Sequence, residues 1–413
     1  MTGDYNPARE NAFFSLFQEY FDLEKDVGKQ HDSQNYSLDR MYPLAELAGN
    51  PERKLKIIHV AGTKGKGSTS FYVTALLNAA GKSCGVFTSP HLLTVRERFQ
   101  VNNQFLSYDT LEAVAIPLCQ RIKAARLKPS LFEIFTVMAL QLFAQGGLEY
   151  AVLETGIGGL LDATNYVPDK VATVITPLSY DHTALLGNTI EEIAMQKAGI
   201  LRAGVPLVLA KQPYPAAEQT VLACATKLGS PVFRPDYSIN LNNWLKDINI
   251  QFLSENFQTA YRVTEVLGLS PDPARFRLPT LPARFEILNE EPPIILDAAH
   301  NGDSARQLTR AIASRYPRRH FVCVLGCVPG KDLQGIIAGL KDMDAEFILT
   351  NPDTPRGSAL PQLQAIALEK GLKIQRIQEH ISSRNDLPSN TPLLFTGSFF
   401  TALIGAKLFQ GKN

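Results

Sequence analysis

Three features of the sequence predict an α/β fold: a P-loop-containing parallel-sheet domain followed by a smaller α/β domain. The apolar run 57–61 reads as a buried strand. The glycine-rich stretch Gly62-Thr63-Lys64-Gly65-Lys66-Gly67-Ser68-Thr69 follows it at once, and 70–80 carries Tyr72, Leu76 and Ala79 at helical spacing. Strand-like and helix-like segments then alternate to the end, the rhythm of parallel sheets covered by helices. Between the two parts, 268–282 holds Pro271, Pro273, Pro279 and Pro282 without periodicity, which reads as a linker, and the expected units are 1–273 and 274–413.

Composition narrows the function classes. With 41 Lys and Arg against 40 Asp and Glu, the net charge of +1 gives no general attraction to nucleic acid or to an anionic membrane. Asp4, Glu10, Glu19, Asp22, Glu24 and Asp26 near the start argue against a secretory leader, and no apolar run is long enough to cross a bilayer, so a cytoplasmic protein is expected. The five cysteines are scattered; Cys323 and Cys327 flank an apolar strand-like run and read as core residues.

The first part is read in order. Residues 11–23 form an amphipathic helix with Phe13, Phe14, Phe17, Tyr20 and Phe21 as core packing, and 37–49 form a second helix ending at a glycine. In the glycine loop the backbone can approach an anion, the following helix N-terminus supplies free N–H groups, Lys66 adds a mobile positive charge, and Ser68 or Thr69 adds a hydroxyl for a phosphate or its Mg²⁺. The loop departs from G-x-x-x-x-G-K-[ST] because Gly67 follows Lys66. A strand at 84–88 ends in Ser89-Pro90. At the carboxyl edge of a parallel sheet Ser89 could give its oxygen to a metal, although Ser-Pro is also a common turn.

Residues 130–145 are a helix with Glu133 at a capping position. The strand 150–153 ends at Glu154 beside a second glycine-rich turn, where a carboxylate suits Mg²⁺. The strand 171–176 leads to Asp181-His182, and the helix 189–199 carries Lys197. A strand at 206–210, a helix at 215–228, a hairpin at 236–250 and a helix running from Asn256 to Leu267 complete the first part. In the second part, strands are expected at 294–296, 321–325, 347–350 and 393–396, and helices at 304–316, 331–340 and 359–370.

Several of these segments carry one resemblance. Gly62-Thr63-x-Gly65-Lys66-Gly67-Ser68 resembles the ATP loop of the Mur ligase family and, within it, of folylpolyglutamate synthase and dihydrofolate synthase, with Lys64 where those enzymes usually have Asn. The same synthases are matched in order by Ser89-Pro90-His91-Leu92 with Glu97-Arg98, by Phe132-Glu133, and by Glu154-x-Gly156-x-Gly158-Gly159-x-x-Asp162-Ala163-Thr164-Asn165. Asp181-His182, Lys197-Ala198-Gly199, Pro282-Ala283-Arg284, Asp297-Ala298-Ala299-His300-Asn301 and Thr396-Gly397-Ser398 continue the series, so the likeness runs from about residue 50 to the end. The departures are Leu160 and Thr94 in place of arginines, Ala298 in place of a glycine, and a missing His-Gln pair before Asn256.

The resemblance implies a P-loop ATPase domain, a Rossmann-like C-terminal glutamate-ligase domain, and a ligase that joins L-glutamate to a carboxylate through an acyl phosphate. By it, Gly62, Thr63, Lys64, Gly65, Lys66, Gly67, Ser68, Asn256, Arg284 and Asp297 hold ATP. Ser89, Glu154, His182 and Lys197, the last as a carbamate, serve two Mg²⁺ ions, with Lys66, Glu154, His182 and Lys197 forming the catalytic set. Arg98, His300 and Ser398 meet substrate, and Glu133 is either a functional glutamate or a helix cap. The expected partners are L-glutamate and dihydropteroate or a reduced folate, with no nucleic acid or membrane, and the chain is expected to be a monomer. Three other readings stay open: a cell-wall Mur-type ligase, a P-loop kinase or GTPase, and an inactive ATP-binding homologue.

Overall fold

The chain builds two sheets from two successive stretches of sequence. The computed structural model describes residues 5–22, 36–241, 243–245, 250–352, 354 and 357–409. Helix α1 (Pro7–Ser15) is capped by the Asn6 side chain, which accepts from the N–H groups of Ala8 and Arg9, and α2 (Met41–Leu47) follows a short turn. Both are shorter than the spans 11–23 and 37–49 read from the sequence; turns continue from α1 to residue 19, and residue 23 lies outside the described residues.

Strand β1 (Lys56–Ala61), buried after its first residue, runs into α3 (Lys66–Ala79), and β2 (Cys84–Phe87) follows. An antiparallel pair, β3 (Phe99–Val101) and β4 (Gln104–Phe105), extends the sheet edge. Two long helices come next, α4 (Tyr108–Ala124) and α5 (Leu131–Gln145), and then β5 (Tyr150–Glu154) and β6 (Ala172–Ile175). Helices α6 (Thr183–Leu186) and α7 (Ile190–Ala198), strand β7 (Leu207–Leu209), α8 (Pro215–Lys227), β8 (Val232–Phe233) and α9 (Gln251–Val266) complete the first unit. The sheet order is β4-β3-β2-β5-β1-β6-β7-β8, parallel from β2 to β8.

Two irregular stretches follow. The hairpin expected at 236–250 falls partly outside the described residues; among the described ones the stretch contains turns and no strand, and Trp244 packs on Phe257, Tyr261 and Phe276. The stretch 268–282, expected to be the linker, has no regular structure; Phe276 is buried and the Asp272 N–H donates to the Ala79 carbonyl, so it lies against α3 and α9. Helix α4 was not anticipated and carries Pro117 in its interior. Its apolar face, with Leu111, Ala115 and Leu118 buried, holds it against an aromatic core in which Phe135 meets Phe13, Phe17 and Phe99. Burying one such ring contributes about 1.5–3 kcal/mol, enough for tertiary packing to offset a proline.

The second unit opens with β9 (Glu286–Glu290) antiparallel to β10 (Pro293–Leu296), then α10 (Gly302–Arg315), β11 (Phe321–Leu325), α11 (Leu333–Leu340), β12 (Ala345–Leu349), α12 (Leu360–Glu369), β13 (Ile374–Ile377), β14 (Leu393–Thr396) and α13 (Phe399–Phe409). Its order is β13-β12-β11-β14-β10-β9, with the last-made strand, β14, in the middle. Cys323 and Cys327 are buried free thiols in its core, as read. Both sheets are doubly wound, and in each the direction of crossover changes beside the strand that carries the polar motifs, where open α/β sheets bind ligands.

Candidate active site

The register of the first sheet brings four strand ends together. Phe87 of β2 lies opposite Leu153 of β5, Glu154 lies opposite Val60 of β1, and Ala61 lies opposite Ile175 of β6. Ser89, Glu154, the glycine loop and Thr176 therefore share one edge.

Close approach explains the loop's glycines. A Cβ on Gly62 would stand 1.8 Å from Thr176 Oγ1, one on Gly65 2.3 Å from Asn256 Oδ1, and one on Gly67 2.3 Å from the Arg284 guanidinium. Gly65 is also left-handed, with φ of 76°, where a side chain costs roughly 1–2 kcal/mol. The loop is pinned from below. The N–H groups of Thr63 and Lys64 both donate to the Pro177 carbonyl, and the Thr63 hydroxyl donates to Ser179 O at 3.0 Å. The first turn of α3 is buried, and the hydroxyls of Thr69 and Ser70 have no partner among the described residues. Asn256 and Arg284 thus reach the loop from α9 and from the start of the second unit.

Glu154 is buried and accepts from the Ser89 N–H at 3.1 Å. Burial raises its pKa, against the pull of Arg284, Lys66, the Ser89 N–H and Arg98. A buried carboxylate beside a serine and facing cations is a hard-oxygen donor set suited to Mg²⁺. Among the described residues no group of three or more His, Cys, Asp and Glu could hold a metal ion. A Mg²⁺ bound at this edge would therefore need oxygens from elsewhere, such as phosphate.

Lys197 is buried on α7 and donates to the Gly62 carbonyl at 2.8 Å, directly beneath the loop. Burial pushes its pKa down to about 7, and the charge of Lys66 adds to the effect. His182 sits in a left-handed conformation, φ 50°, and its surroundings push its pKa down to about 3, burial first, then Lys331, Lys197 and His300 against the opposing charge of Asp181.

The acceptor side is built from 89–98. Glu97 accepts from the N–H groups of Leu92, Leu93 and Thr94 at 2.7–2.9 Å, which fixes the turn. Arg98 is buried, donates to His91 Nδ1 at 2.7 Å and lies 5.7 Å from the Phe135 ring centre. Glu10, from α1, accepts from Thr94 Oγ1, the Val95 N–H and the Tyr108 hydroxyl; nothing in the sequence singled it out for this. Glu133 is a cap. It closes a capping box with Ser130 and pairs with Arg40 at 2.7 Å, the geometry of the helix-cap reading.

Across the cleft, Asp297 is buried and accepts from the N–H groups of Phe285 and Ala299; burial raises its pKa to about 6. His300 Nδ1 lies 2.8 Å from the Ala298 carbonyl, and its Nε2 lies 3.3 Å from Asp181 Oδ2. Ser398 caps α13, accepting from the Thr401 N–H with its hydroxyl 2.8 Å from Thr401 Oγ1. Lys64, in the same loop, faces Asp303 of α10 at 3.5 Å. Burial lowers its pKa against that ion pair. Lys331, absent from the sequence reading, meets Asp181 at 3.3 Å.

The chain is similar to several known proteins. Residues 283–399 match the Mur ligase glutamate ligase domain. The Escherichia coli dihydrofolate synthase/folylpolyglutamate synthase is 32% identical over 400 residues, covering 91% of this chain and 93% of that protein. The Mycobacterium tuberculosis folylpolyglutamate synthase complexed with ADP superposes with a TM-score of 0.82 at 28% identity, covering 99% of this chain and 100% of that one. The bifunctional folylpolyglutamate synthase/dihydrofolate synthase of Yersinia pestis, complexed with AMPPNP and a Mn ion, does so with a TM-score of 0.77 at 30% identity, covering 90% of this chain and 93% of that one.

Proposed function

The chain belongs to the dihydrofolate synthase/folylpolyglutamate synthase family of Mur-type ligases, and on that premise we propose that it joins L-glutamate to dihydropteroate, to the γ-carboxyl of a reduced folate, or to both, using ATP. The observation that carries the proposal is the juxtaposition of the Gly62–Ser68 loop, Glu154 and Lys197 on one sheet edge with Arg284, Asp297 and His300 of the second unit facing them. An acyl transfer needs that arrangement: a phosphate cradle on one wall and an amine-binding surface on the other. We place the division between the units at 273/274.

The acceptor carboxylate attacks the γ-phosphorus of ATP, ADP leaves, and an acyl phosphate forms. The amine of glutamate then attacks the acyl carbon, phosphate leaves with the bonding pair, and the amine proton is lost, giving the amide. Loop N–H groups and the α3 N-terminus cradle the phosphates, and Lys66 and Arg284 offset the charge on the moving phosphoryl group. Arg98, held by His91, meets the acceptor's carboxylate. Asp297 holds the nucleotide, while His300, with Ser398 on the neighbouring strand end, faces the amino acid. Ser89, Glu154 and His182 would hold divalent metal, two ions in this proposal, which when bound neutralises phosphate charge.

Lys197 is the residue whose chemistry goes furthest. A lysine amine whose pKa burial lowers to about 7 has a substantial neutral fraction near neutral pH and can add to CO₂, giving a carbamate and one proton. The carbamate turns a repulsive group into an oxygen donor for Mg²⁺. The protein is proposed to act as a monomer in the cytoplasm; among the described residues no helix is long and apolar enough to cross a membrane.

The test is ATP-dependent phosphate release with L-glutamate and each pterin acceptor in turn. Release that requires both glutamate and one acceptor is expected, and Lys66→Ala should lower it by orders of magnitude with the fold intact. ATP turnover indifferent to glutamate would overturn the proposal.

A further inference from the structure

Asp181 belongs to the first unit, yet its carboxylate is held by two residues of the second. Oδ2 lies 3.3 Å from His300 Nε2 and Oδ1 lies 3.3 Å from Lys331 Nζ. Among the described residues, its hydrogen bond from its own side is the His182 N–H at 3.0 Å, with the His182 ring at 3.9 Å and the charges of Lys197 and Lys64 farther off. His300 and Lys331 follow β10 and β11, the two strands that flank β14, so they stand on either side of the strand end at the crossover. Thr396, the last residue of β14, keeps a buried hydroxyl with no partner among the described residues. Two basic side chains and a hydroxyl on one edge make a carboxylate site, and a carboxylate of this same chain sits in it.

The contacts are loose. Charge-assisted hydrogen bonds to a carboxylate run about 2.7–2.9 Å, and both of these are longer. The side chains of Asp181, Lys331 and His300 keep 15%, 20% and 32% of their exposure, so water reaches the cluster. Such a pair can close the cleft between substrates and still give way to a free carboxylate.

We infer that Asp181 is a built-in stand-in for a carboxylate of the incoming amino acid: it clasps the two units through His300 and Lys331, and the amino acid's carboxylate displaces it from that pair. The inference rests on the ligase reading and adds Lys331 as a substrate-positioning residue and Asp181 as its competitor. Displacement also frees the Asp181 carboxylate beside His182, so filling the amino-acid site loosens the tether between the two walls of the cleft.

Asp181→Asn and Lys331→Gln, assayed in the full chain, read the two roles with opposite signs. Asp181→Asn removes the competitor and should lower the KM for glutamate by about twofold to fivefold, the fold-change equivalent to an exposed ion pair. Lys331→Gln should raise it at least tenfold, with the KM for ATP within twofold of wild type in both. A rise in the glutamate KM in Asp181→Asn, or a change confined to ATP, would overturn the inference. A wild-type chain whose ATP turnover ignores glutamate would instead refute the ligase reading. The clasp is then read by small-angle X-ray scattering without nucleotide, where Asp181→Asn should enlarge the radius of gyration and an unchanged profile would refute the clasp.

Discussion

At the scale of single residues, Lys197 ties stability to chemistry. Its pKa falls from 10.5 to about 7 on folding because the amine is buried. Between those values the unfolded chain holds a proton that the folded chain lacks, so stability rises with pH through that window, and the burden is full below about pH 7. In CO₂-free buffer, thermal midpoints should rise from pH 7 toward pH 10, by the equivalent of on the order of 3–5 kcal/mol. Lys197→Met should reduce that slope, leaving the part that Lys170 and Lys64 contribute, since burial lowers their pKa values too; an unchanged slope would assign it wholly to those groups. Activity carries the second half of the argument. Bicarbonate should restore turnover to CO₂-depleted wild type, and formate should restore part of the turnover of Lys197→Ala. This scale is also where the sequence was least legible. Lys66, Glu154 and Arg284 announce themselves by motif, but Glu10, Lys331 and the Asp303 partner of Lys64 become meaningful only through contacts made between distant segments.

At the scale of elements, α1 locks the acceptor loop. Glu10 is buried on α1, and its carboxylate receives the Val95 N–H and the Thr94 hydroxyl from the segment that carries Arg98. Glu10→Ala leaves the Val95 N–H without its acceptor, a cost of about 1–3 kcal/mol, while the Thr94 and Tyr108 hydroxyls keep each other. The expected result is a lowered denaturation midpoint and an acceptor KM raised several-fold, with the KM for ATP little changed; equal rises in both would mean that the loop does not depend on α1. The elements that the sequence revealed are those buried on both faces, such as β1, β5 and β11, which are continuous apolar runs. The elements it hid are half exposed or interrupted. Strand β13 reads Ile-Gln-Arg-Ile with most of its length exposed, β9 is edged with glutamates, and α4 contains a proline. The hairpin expected at 236–250 lies partly outside the described residues; within them Trp244 packs sideways against Phe257 and Phe276, a contact that no local pattern announces.

At the scale of the whole molecule, ion pairs cross the cleft. Lys64–Asp303 and Lys331–Asp181 join the units, and all four side chains retain some exposure, so salt should screen them. Raising ionic strength from about 0.05 to 0.5 M, where the screening length falls from over 10 Å to a few, should enlarge the radius of gyration of the unliganded chain. Lys64→Asn should give part of that enlargement at low salt and a weaker response to added salt. An identical salt response in wild type and variant would show that this pair does not hold the units together.

The position of β14 has a consequence for how the protein is made. The first sheet is complete once residue 233 has left the ribosome, and α9 closes over it by 266, so that unit can fold while the second is still being translated. The second unit cannot. Its central strand, Leu393–Thr396, is also the last to emerge, and until then β10 and β11 each present a buried-type apolar edge with no neighbour between them. Unpaired edges of that kind recruit strands from other chains. A nascent chain stalled before residue 393 would therefore be half folded and adhesive, and holding that gap open without aggregation falls to whatever chaperone meets the nascent chain.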